Sequence, residues 1–224
     1  MKTKALLFDF DGLILDTETP EFHVWQAIYR EYGQEIALEQ WGMMVGGFGR
    51  GMFDAAGRLA GLVGDGLKPD ELRARHRSES DALTLLQPIL PGVTDYLDEA
   101  RHLGLRLAIA SSSPHSWVDT HLTRLGLASR FDVILCSEDV PPGRTKPHPD
   151  LFLKALGVFG LQAGEAIVFE DSPNGVAAAR AAGIPVVAVP NPLTTLLGVD
   201  GADLSVPSLG TIPLTNLLNQ LHKL

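Results

Sequence analysis

Short apolar runs alternate with helix-length amphipathic segments over most of the chain. Five runs have the continuous hydrophobicity of strands that are buried on both faces, and they cover residues 4–10, 105–110, 131–135, 166–169 and 185–189. The helices predicted between them span residues 93–103, 116–125, 149–159 and 173–182, and a glycine follows each one. Strands and helices that alternate in this way predict a doubly wound α/β fold with a parallel sheet.

The segment after the first predicted strand breaks this alternation. It shows only helical signals, at residues 22–32, 38–45, 52–62 and 69–83, separated by glycine-containing turns. We therefore expect two domains: a core of residues 1–16 and 87–224, and an inserted helical domain of residues 17–86. The tail that follows Pro190 is predicted to hold a short strand at 202–206 and a helix at 214–222.

Composition narrows the class of protein. Apolar residues make up 45% of the 224 positions and charged residues 20%, which is typical of a globular chain. The formal net charge of −9 gives no electrostatic surface for nucleic acid, and no apolar run approaches the roughly 20 residues of a membrane span. Cys136 has no cysteine with which to form an internal disulfide. We expect a cytoplasmic monomer that binds neither nucleic acid nor membranes.

Two pairs of acidic residues follow predicted strands. Asp9 and Asp11 stand two positions apart, so their side chains are expected on the same face, and Glu170 and Asp171 end a second strand. Ligands bind at the carboxyl ends of parallel strands, and a cluster of carboxylates there suits Mg²⁺. Each pair, taken alone, is also compatible with turn and helix-capping residues.

Two further segments could hold an anion. Ser111 and its neighbour Ser112 end a predicted strand just before a helix, where hydroxyl and backbone N–H groups can bind phosphate. Lys146 lies in a proline-rich loop and supplies a point charge suited to phosphate. Each signal is weak by itself.

The three tryptophans of the chain are expected to be core anchors; they are Trp25, Trp41 and Trp117.

Together the four motifs resemble the haloacid dehalogenase superfamily in order and spacing, and the insert looks like the cap of its β-phosphoglucomutase-like subgroup. The resemblance implies a Rossmann-like core with a helical cap and a Mg²⁺-dependent phosphatase. Asp9 would be the nucleophile that forms an aspartyl-phosphate, and Asp11 the general acid and then the base. The resemblance also implies roles for the other motif residues: Asp9, the Asp11 backbone carbonyl and Asp171 would bind Mg²⁺ with help from Glu170, and Ser111 and Lys146 would hold the phosphoryl oxygens.

Substrate binding is expected to involve the insert. Gly47 and Arg50 are similar to a cap loop whose arginine contacts the substrate, and Ser112, Glu18 and Glu21 are further candidates. The expected substrate is a small phosphorylated metabolite such as a sugar phosphate. Glu21 occupies a position where the phosphomutase branch has a histidine, which favours hydrolysis. A phosphosugar mutase and a non-enzymatic phospho-receiver remain as alternatives.

Overall fold

A single parallel sheet organises the chain in the computed structural model, which describes residues 3–42, 53–64, 66–191 and 193–223. Its six strands are β1 (Ala5–Phe8), β2 (Arg106–Ala110), β3 (Val133–Leu135), β4 (Ala166–Glu170), β5 (Val186–Ala188) and β6 (Leu204–Ser205). They pair in parallel in the order β3-β2-β1-β4-β5-β6. The doubly wound α/β fold predicted from the sequence is confirmed.

Helices cover the sheet and fill the insert. Those of the α/β part are α5 (Val93–His102), α6 (His115–Arg124), α7 (Asp150–Phe159), α8 (Pro173–Ala181) and α9 (Leu214–Leu221). Those of the insert are α1 (Glu18–Glu31), α2 (Leu38–Gly42), α3 (Ala55–Val63) and α4 (Pro69–Thr84). The helices of the α/β part match their predicted ranges to within one residue at each end.

Helix α1 begins four residues before the predicted start at Phe22. Pro20 lies in its first turn, where a missing backbone N–H costs nothing because those groups have no partner within the helix. The Asp16 carboxylate accepts a hydrogen bond from the Thr19 N–H at 3.0 Å and satisfies one of these groups. The proline therefore marks the beginning of the helix rather than the turn before it.

The two faces of the sheet carry separate hydrophobic clusters. Along β1, Leu6 and Phe8 pack into one cluster with α5, α6 and α9, whereas Ala5 and Leu7 pack into another with α7 and α8. All four side chains are fully buried, as expected for a parallel strand covered on both faces. Both faces of the sheet are thus covered, and only its edges and strand ends are left open.

A third hydrophobic cluster lies within the insert. Trp25 and Trp41 are 4% and 2% exposed and confirm their expected role as core anchors. The Tyr29 hydroxyl donates to the Ala55 carbonyl at 2.7 Å and joins α1 to α3. Leu193, from the tail, packs into the same cluster and so links the insert to the α/β part. In the part of the chain that the structure describes, no helix combines the length and apolarity needed to cross a bilayer.

Candidate active site

The order of the strands creates a switch point beside β1. From β1 the chain continues to β2 and β3 on one side and then crosses to β4, β5 and β6 on the other. Ligand crevices open at the carboxyl ends of the strands at such points. Phe8 pairs with Phe169 in the register of β1 and β4, so the next residues, Asp9 and Glu170, lie side by side at this end of the sheet.

Three buried carboxylates gather at the switch point. Asp9, Glu170 and Asp171 each offer one oxygen, and these atoms lie within 4.8 Å of one another. Lys146 reaches them from the loop before α7: its Nζ is 2.5 Å from Glu170 Oε1 and also pairs with Asp9 Oδ1. The Lys146 side chain is only 5% exposed. The sequence-predicted motifs therefore meet as one cluster of charges.

The electrostatics of this cluster show an excess of negative charge. Burial raises the pKa of the Asp9 carboxyl to about 8, the charge of Glu170 adds to the rise, and Lys146 opposes it only in part. Burial and the charge of Glu18 likewise hold the pKa of Asp171 well above its usual range. Burial alone would lower the pKa of Lys146, but the charges of Asp9 and Glu170 outweigh it and raise that pKa. The single positive charge of Lys146 does not balance the negative charge that three ionised carboxyl groups would carry.

Gly12 allows the cluster to close around the end of β1. Its φ of +77° lies in the left-handed region that favours glycine. A Cβ at this position would come 2.2 Å from Asp171 Oδ2 and 2.8 Å from Asn191 Nδ2. The glycine that ends the Asp9-Phe10-Asp11-Gly12 motif is therefore required by the close approach of Asp171 as well as by the turn.

The Asp11 carboxylate is held apart from the three clustered acids. Its Oδ2 accepts hydrogen bonds from Ser113 Oγ at 2.7 Å and Ser111 Oγ at 3.3 Å, and its Oδ1 accepts one from Trp117 Nε1 at 2.8 Å. Within the described residues, the side chain of Asp11 does not belong to the candidate metal cluster. Its carboxylate instead accepts hydrogen bonds from the serine segment and from Trp117.

The three consecutive serines after β2, residues 111–113, have different surroundings. Ser111 is fully buried, and its hydroxyl accepts from the Ser113 N–H at 3.0 Å as well as donating to Asp11. Ser112 is exposed and lines the cleft above the cluster. The structure thus places the hydroxyl of Ser111 beside Asp11, while Ser112 and Ser113 are the members of the segment that border the open space.

A cleft of about 810 Å³ lies between the strand ends and the insert. Its floor includes Asp9, Asp11, Lys146 and Asp171. The insert and the connection that leads into it contribute the opposite wall, formed by Thr17, Glu18, Glu21, Trp41, Arg77 and Asp81. Glu18 and Glu21 therefore face the cleft as expected, whereas Gly47 and Arg50 lie outside the described residues.

The wall formed by the insert is also rich in carboxyl groups. Burial raises the pKa of Glu18 to about 8, although a hydrogen bond from Asn191 opposes the shift. Glu21 borders the cleft solvent, yet the surrounding protein and the charges of Asp11 and Asp81 raise its pKa to about 7. The insert thus brings acidic groups over a floor that is itself acidic.

The site also contains residues that the sequence does not predict there. Asn191 Nδ2 donates to both Glu18 Oε2 and Asp171 Oδ2 at 2.9 Å and bridges the two walls. Trp117, expected as a core anchor, is instead partly exposed and borders the cleft, which corrects that expectation. Arg77 is an exposed cation in the wall formed by the insert.

Comparison with known proteins agrees with this geometry. The family model described as haloacid dehalogenase-like hydrolase matches residues 6–189. The Bacillus subtilis protein named "Putative phosphatase YhcW" is 39% identical over 224 residues, covering 98% of both chains. Fructose-1-phosphate phosphatase YqaB of Escherichia coli is 31% identical over 83% of this chain and 95% of its own. A crystal structure from Thermotoga maritima, named as that of a putative beta-phosphoglucomutase, superposes with a TM-score of 0.77 at 28% identity, covering 97% and 99% of the two chains.

Proposed function

Because the chain belongs to the haloacid dehalogenase-like hydrolase family and is a hydrolase of phosphate esters, we propose that it hydrolyses a small organic phosphate monoester through an aspartyl-phosphate on Asp9. The observation that carries the proposal is the meeting of Asp9, Asp171 and Lys146 on the floor of one cleft, with Asp11 beside them. In this proposal Asp9 is the nucleophile, Lys146 the cation and Asp11 the proton-transfer group around one space.

Two displacements make up the proposed reaction. A carboxylate oxygen of Asp9 attacks phosphorus, the bond from phosphorus to the ester oxygen breaks, and the Asp11 carboxyl gives its proton to the departing oxygen, which leaves as an alcohol. Asp11, now a carboxylate, takes a proton from water as the water oxygen attacks phosphorus. The bond from phosphorus to Asp9 breaks, inorganic phosphate leaves, and both aspartates return to their starting states.

Lys146 has two tasks in this scheme. Its ammonium group pairs with Asp9 in the structure and so orients the nucleophile. The same positive charge also attracts the phosphoryl oxygens, whose charge must be stabilised in the transition state. Ser112, which borders the same cleft, supplies a hydroxyl donor for those oxygens.

The clustered carboxylates fit Mg²⁺. They are hard oxygen donors of the type that Mg²⁺ prefers. Burial and neighbouring negative charge raise the pKa values of Asp9 and Asp171, which supports a further positive charge beside Lys146. Asp9, Asp171 and the Asp11 carbonyl would hold the ion, with Glu170 beside them. When bound, Mg²⁺ supplies charge neutralisation that lets a carboxylate approach a phosphate dianion.

The insert, residues 17–86, is proposed to act as a cap domain over this cleft. Its helices form a wall of the cleft but pack around their own hydrophobic cluster. A cap of this kind would exclude bulk water from the reacting groups and would contact the part of the substrate that is not transferred. We propose that the substrate is a sugar phosphate or a similar small ester, and that the protein is a cytoplasmic monomer.

A phosphosugar mutase is the second candidate, because a structure named as that of a putative beta-phosphoglucomutase superposes over 97% of this chain at 28% identity. In that case Glu21, which borders the cleft, would have to exchange protons with a sugar hydroxyl in place of the mutase histidine. The relatives named as phosphatases make a non-enzymatic phospho-receiver the less favoured alternative.

Phosphorus NMR tests the proposal. The protein is incubated with hexose 1-phosphates, hexose 6-phosphates and fructose 1-phosphate, first with Mg²⁺ and then with a chelator. We expect inorganic phosphate in the presence of Mg²⁺ and none with the chelator. Conversion of a 1-phosphate to a 6-phosphate without inorganic phosphate would instead support the mutase, and an aspartyl-phosphate that is never passed on would support the receiver.

The nucleophile is tested by Asp9→Asn, with Asp95→Asn as the matched control. Asp95 is exposed in the first turn of α5 and does not line the cleft. We expect Asp9→Asn to retain its circular dichroism spectrum and to lose turnover, while Asp95→Asn keeps both. An Asp9→Asn variant that hydrolyses esters at the normal rate would refute the assignment.

A further inference from the structure

Three side chains along α6 connect Asp11 to the end of the insert. Trp117, His121 and Arg124 are spaced four and three residues apart, so they lie one above another on one face of the helix. At one end of this row, Trp117 Nε1 donates to Asp11 Oδ1 at 2.8 Å. At the other end, Arg124 Nη1 donates at 3.1 Å to the carbonyl of Gln87, in the connection that returns from the insert to the α/β part.

His121 fills the space between the two ends. It is 2% exposed, and its ring meets the ring of Trp117 edge to face with the centroids 4.3 Å apart. Arg124 Nη2 donates to His121 Nδ1 at 3.4 Å. Burial and the charge of Arg124 lower the pKa of His121, which favours the neutral imidazole that can accept this hydrogen bond. Contact is therefore continuous from Asp11 to Arg124.

Arg124 also caps the last helix of the insert. Its Nη2 lies 3.4 Å from the carbonyl of Thr84, the final residue of α4. The last carbonyls of a helix have no partner within the helix, and a cation there is favourable because the helix dipole places negative charge at this end. The position of Arg124 and the position of the end of α4 are thus fixed together.

The Asp11 carboxylate is held at both of its oxygens. Trp117 donates to Oδ1, while Ser113 donates to Oδ2 at 2.7 Å. The carboxylate cannot rotate without breaking one of these hydrogen bonds. Ser113 lies on the loop before α6, so the donor that belongs to the row along the helix is Trp117.

We propose that Trp117 is a positioning residue for Asp11, and that the row formed by Trp117, His121 and Arg124 ties the orientation of the Asp11 carboxylate to the end of α4. The inference rests on the proposed function, because it concerns the residue that transfers the proton there. Trp117 itself does not react. It holds the carboxyl group where the ester oxygen leaves, and the contacts of Arg124 make that position depend on where the insert ends.

The test uses two esters that differ in their need for a proton. Phenyl phosphate releases a strongly basic oxygen that must be protonated, whereas p-nitrophenyl phosphate releases a stable anion. Trp117→Phe keeps an aromatic ring beside His121 and removes the N–H donor. We expect its kcat/KM, which reports the step in which the ester oxygen leaves, to fall at least about ten-fold for phenyl phosphate and less than about three-fold for p-nitrophenyl phosphate.

A second pair of variants tests the connection to the insert. Arg124→Gln should show the same selective loss on phenyl phosphate, and Arg124→Lys, which can still donate to a carbonyl, should recover part of it. Arg130→Gln is the matched control, because Arg130 pairs with Asp98 and not with the insert. Arg130→Gln should leave both rates unchanged.

The outcomes separate the inference from the proposed function. Equal losses of kcat/KM on both esters in Trp117→Phe, or no loss on either, would overturn the positioning role while the phosphatase stands. A selective loss in Trp117→Phe with normal rates in Arg124→Gln would overturn the link to α4. A wild-type protein that hydrolyses neither these two esters nor any ester of the phosphorus NMR panel would overturn the proposed function and the inference with it.

Discussion

The carboxylate of Glu170 occupies the space where a side chain of Gly175 would begin. A Cβ on Gly175 would come 1.8 Å from Glu170 Cδ and 1.9 Å from Oε2, although the backbone of Gly175 is in ordinary helical conformation within α8. Ser172 Oγ accepts from the Gly175 N–H at 3.2 Å and donates to Glu170 Oε2 at 3.3 Å. The first turn of α8 is therefore built around the acid at the end of β4.

Gly175→Ala is expected to displace Glu170 and weaken the site. Because Glu170 is fully buried and pairs with Lys146, it has no free space to move into, and overpacking of this kind costs about 1–3 kcal/mol of unfolding free energy. We also expect turnover to fall at least about ten-fold, since the displaced carboxylate disturbs Lys146. Urea unfolding and steady-state kinetics measure the two effects.

Gly157→Ala is the matched control for this change. Gly157 lies in α7, and a Cβ there would meet no atom within 4 Å. The substitution should stabilise the protein by about 0.5–1 kcal/mol, because alanine favours a helix more than glycine does. If Gly175→Ala behaved like Gly157→Ala in both assays, the packing of Glu170 against Gly175 would not matter for the site.

Removal of the Lys146 charge should affect both stability and catalysis. Lys146→Met leaves Asp9 and Glu170 buried without their cation, and breaking a buried ion pair in this way costs about 3–5 kcal/mol. We expect the metal-free variant to lose this much unfolding free energy, and kcat to fall at least about 100-fold because the transition state loses a charge partner.

The control for Lys146 is Lys154→Met. Lys154 is 40% exposed and lies 3.0 Å from Asp139 at the surface, so its loss should cost at most about 1 kcal/mol and leave kcat unchanged. Mg²⁺ should restore part of the stability of Lys146→Met, since it neutralises the same carboxylates. Normal turnover in Lys146→Met would remove the lysine from the proposed mechanism.

The stability of the metal-free protein should decrease as the pH rises from about 6 to about 8.5. The pKa of Asp9 is 3.8 in ordinary solution and about 8 in the folded protein, so between these values the folded state holds a proton that the unfolded chain has released. The stability that this proton contributes is present at the acidic end of the window and is lost as the pH rises through the folded pKa.

Mg²⁺ should therefore raise the melting temperature more at the alkaline end of this window than at the acidic end. Protons and Mg²⁺ compete for Asp9 and Asp171, and fewer protons remain to be displaced at high pH. Thermal unfolding at both pH values, with and without Mg²⁺, measures the difference. An equal or larger Mg²⁺ effect at about pH 6 would contradict this linkage.

The acid pairs and their meeting place could be predicted from the sequence because they depend on the strands. Asp9 and Glu170 follow apolar runs directly, and the register of two parallel strands puts them side by side. Turn and capping interpretations were open for each pair alone. They are excluded as complete explanations by the burial of Asp9, Glu170 and Asp171 in one cluster.

The contacts that depend on tertiary packing could not be predicted in this way. Asn191 is 173 positions from Glu18, and no periodic pattern joins residues so far apart. Trp117 shares the face of α6 with His121, and the sequence predicts it as a core residue, because an apolar pattern does not show that the polar edge of an indole has a carboxylate partner. The cap arginine expected from the sequence, Arg50, lies outside the described residues, whereas Arg77, which borders the cleft, is not among the residues that the sequence predicts for the site.

Arg77 is expected to bind the substrate from the insert. It borders the cleft on α4, and Glu21 and Asp81 line the same wall, so a positive charge at this position offsets repulsion of an anionic ester. Arg77→Gln should raise KM about ten-fold, because the bound substrate loses one charged hydrogen bond. We expect kcat to change less than about two-fold. Michaelis–Menten kinetics with the preferred ester of the phosphorus NMR panel measure both constants.

The control lies on the same helix. Arg75 pairs with Glu31 at 2.5 Å and with Glu79 at 2.7 Å, and it stands two residues from Arg77, about 200° around the helix. Arg75→Gln should therefore leave KM unchanged and alter the unfolding free energy by at most about 1 kcal/mol. A fall in kcat without a change in KM in Arg77→Gln would mean that Arg77 acts on the reacting groups instead of the bound substrate, and unchanged constants would take it out of the site.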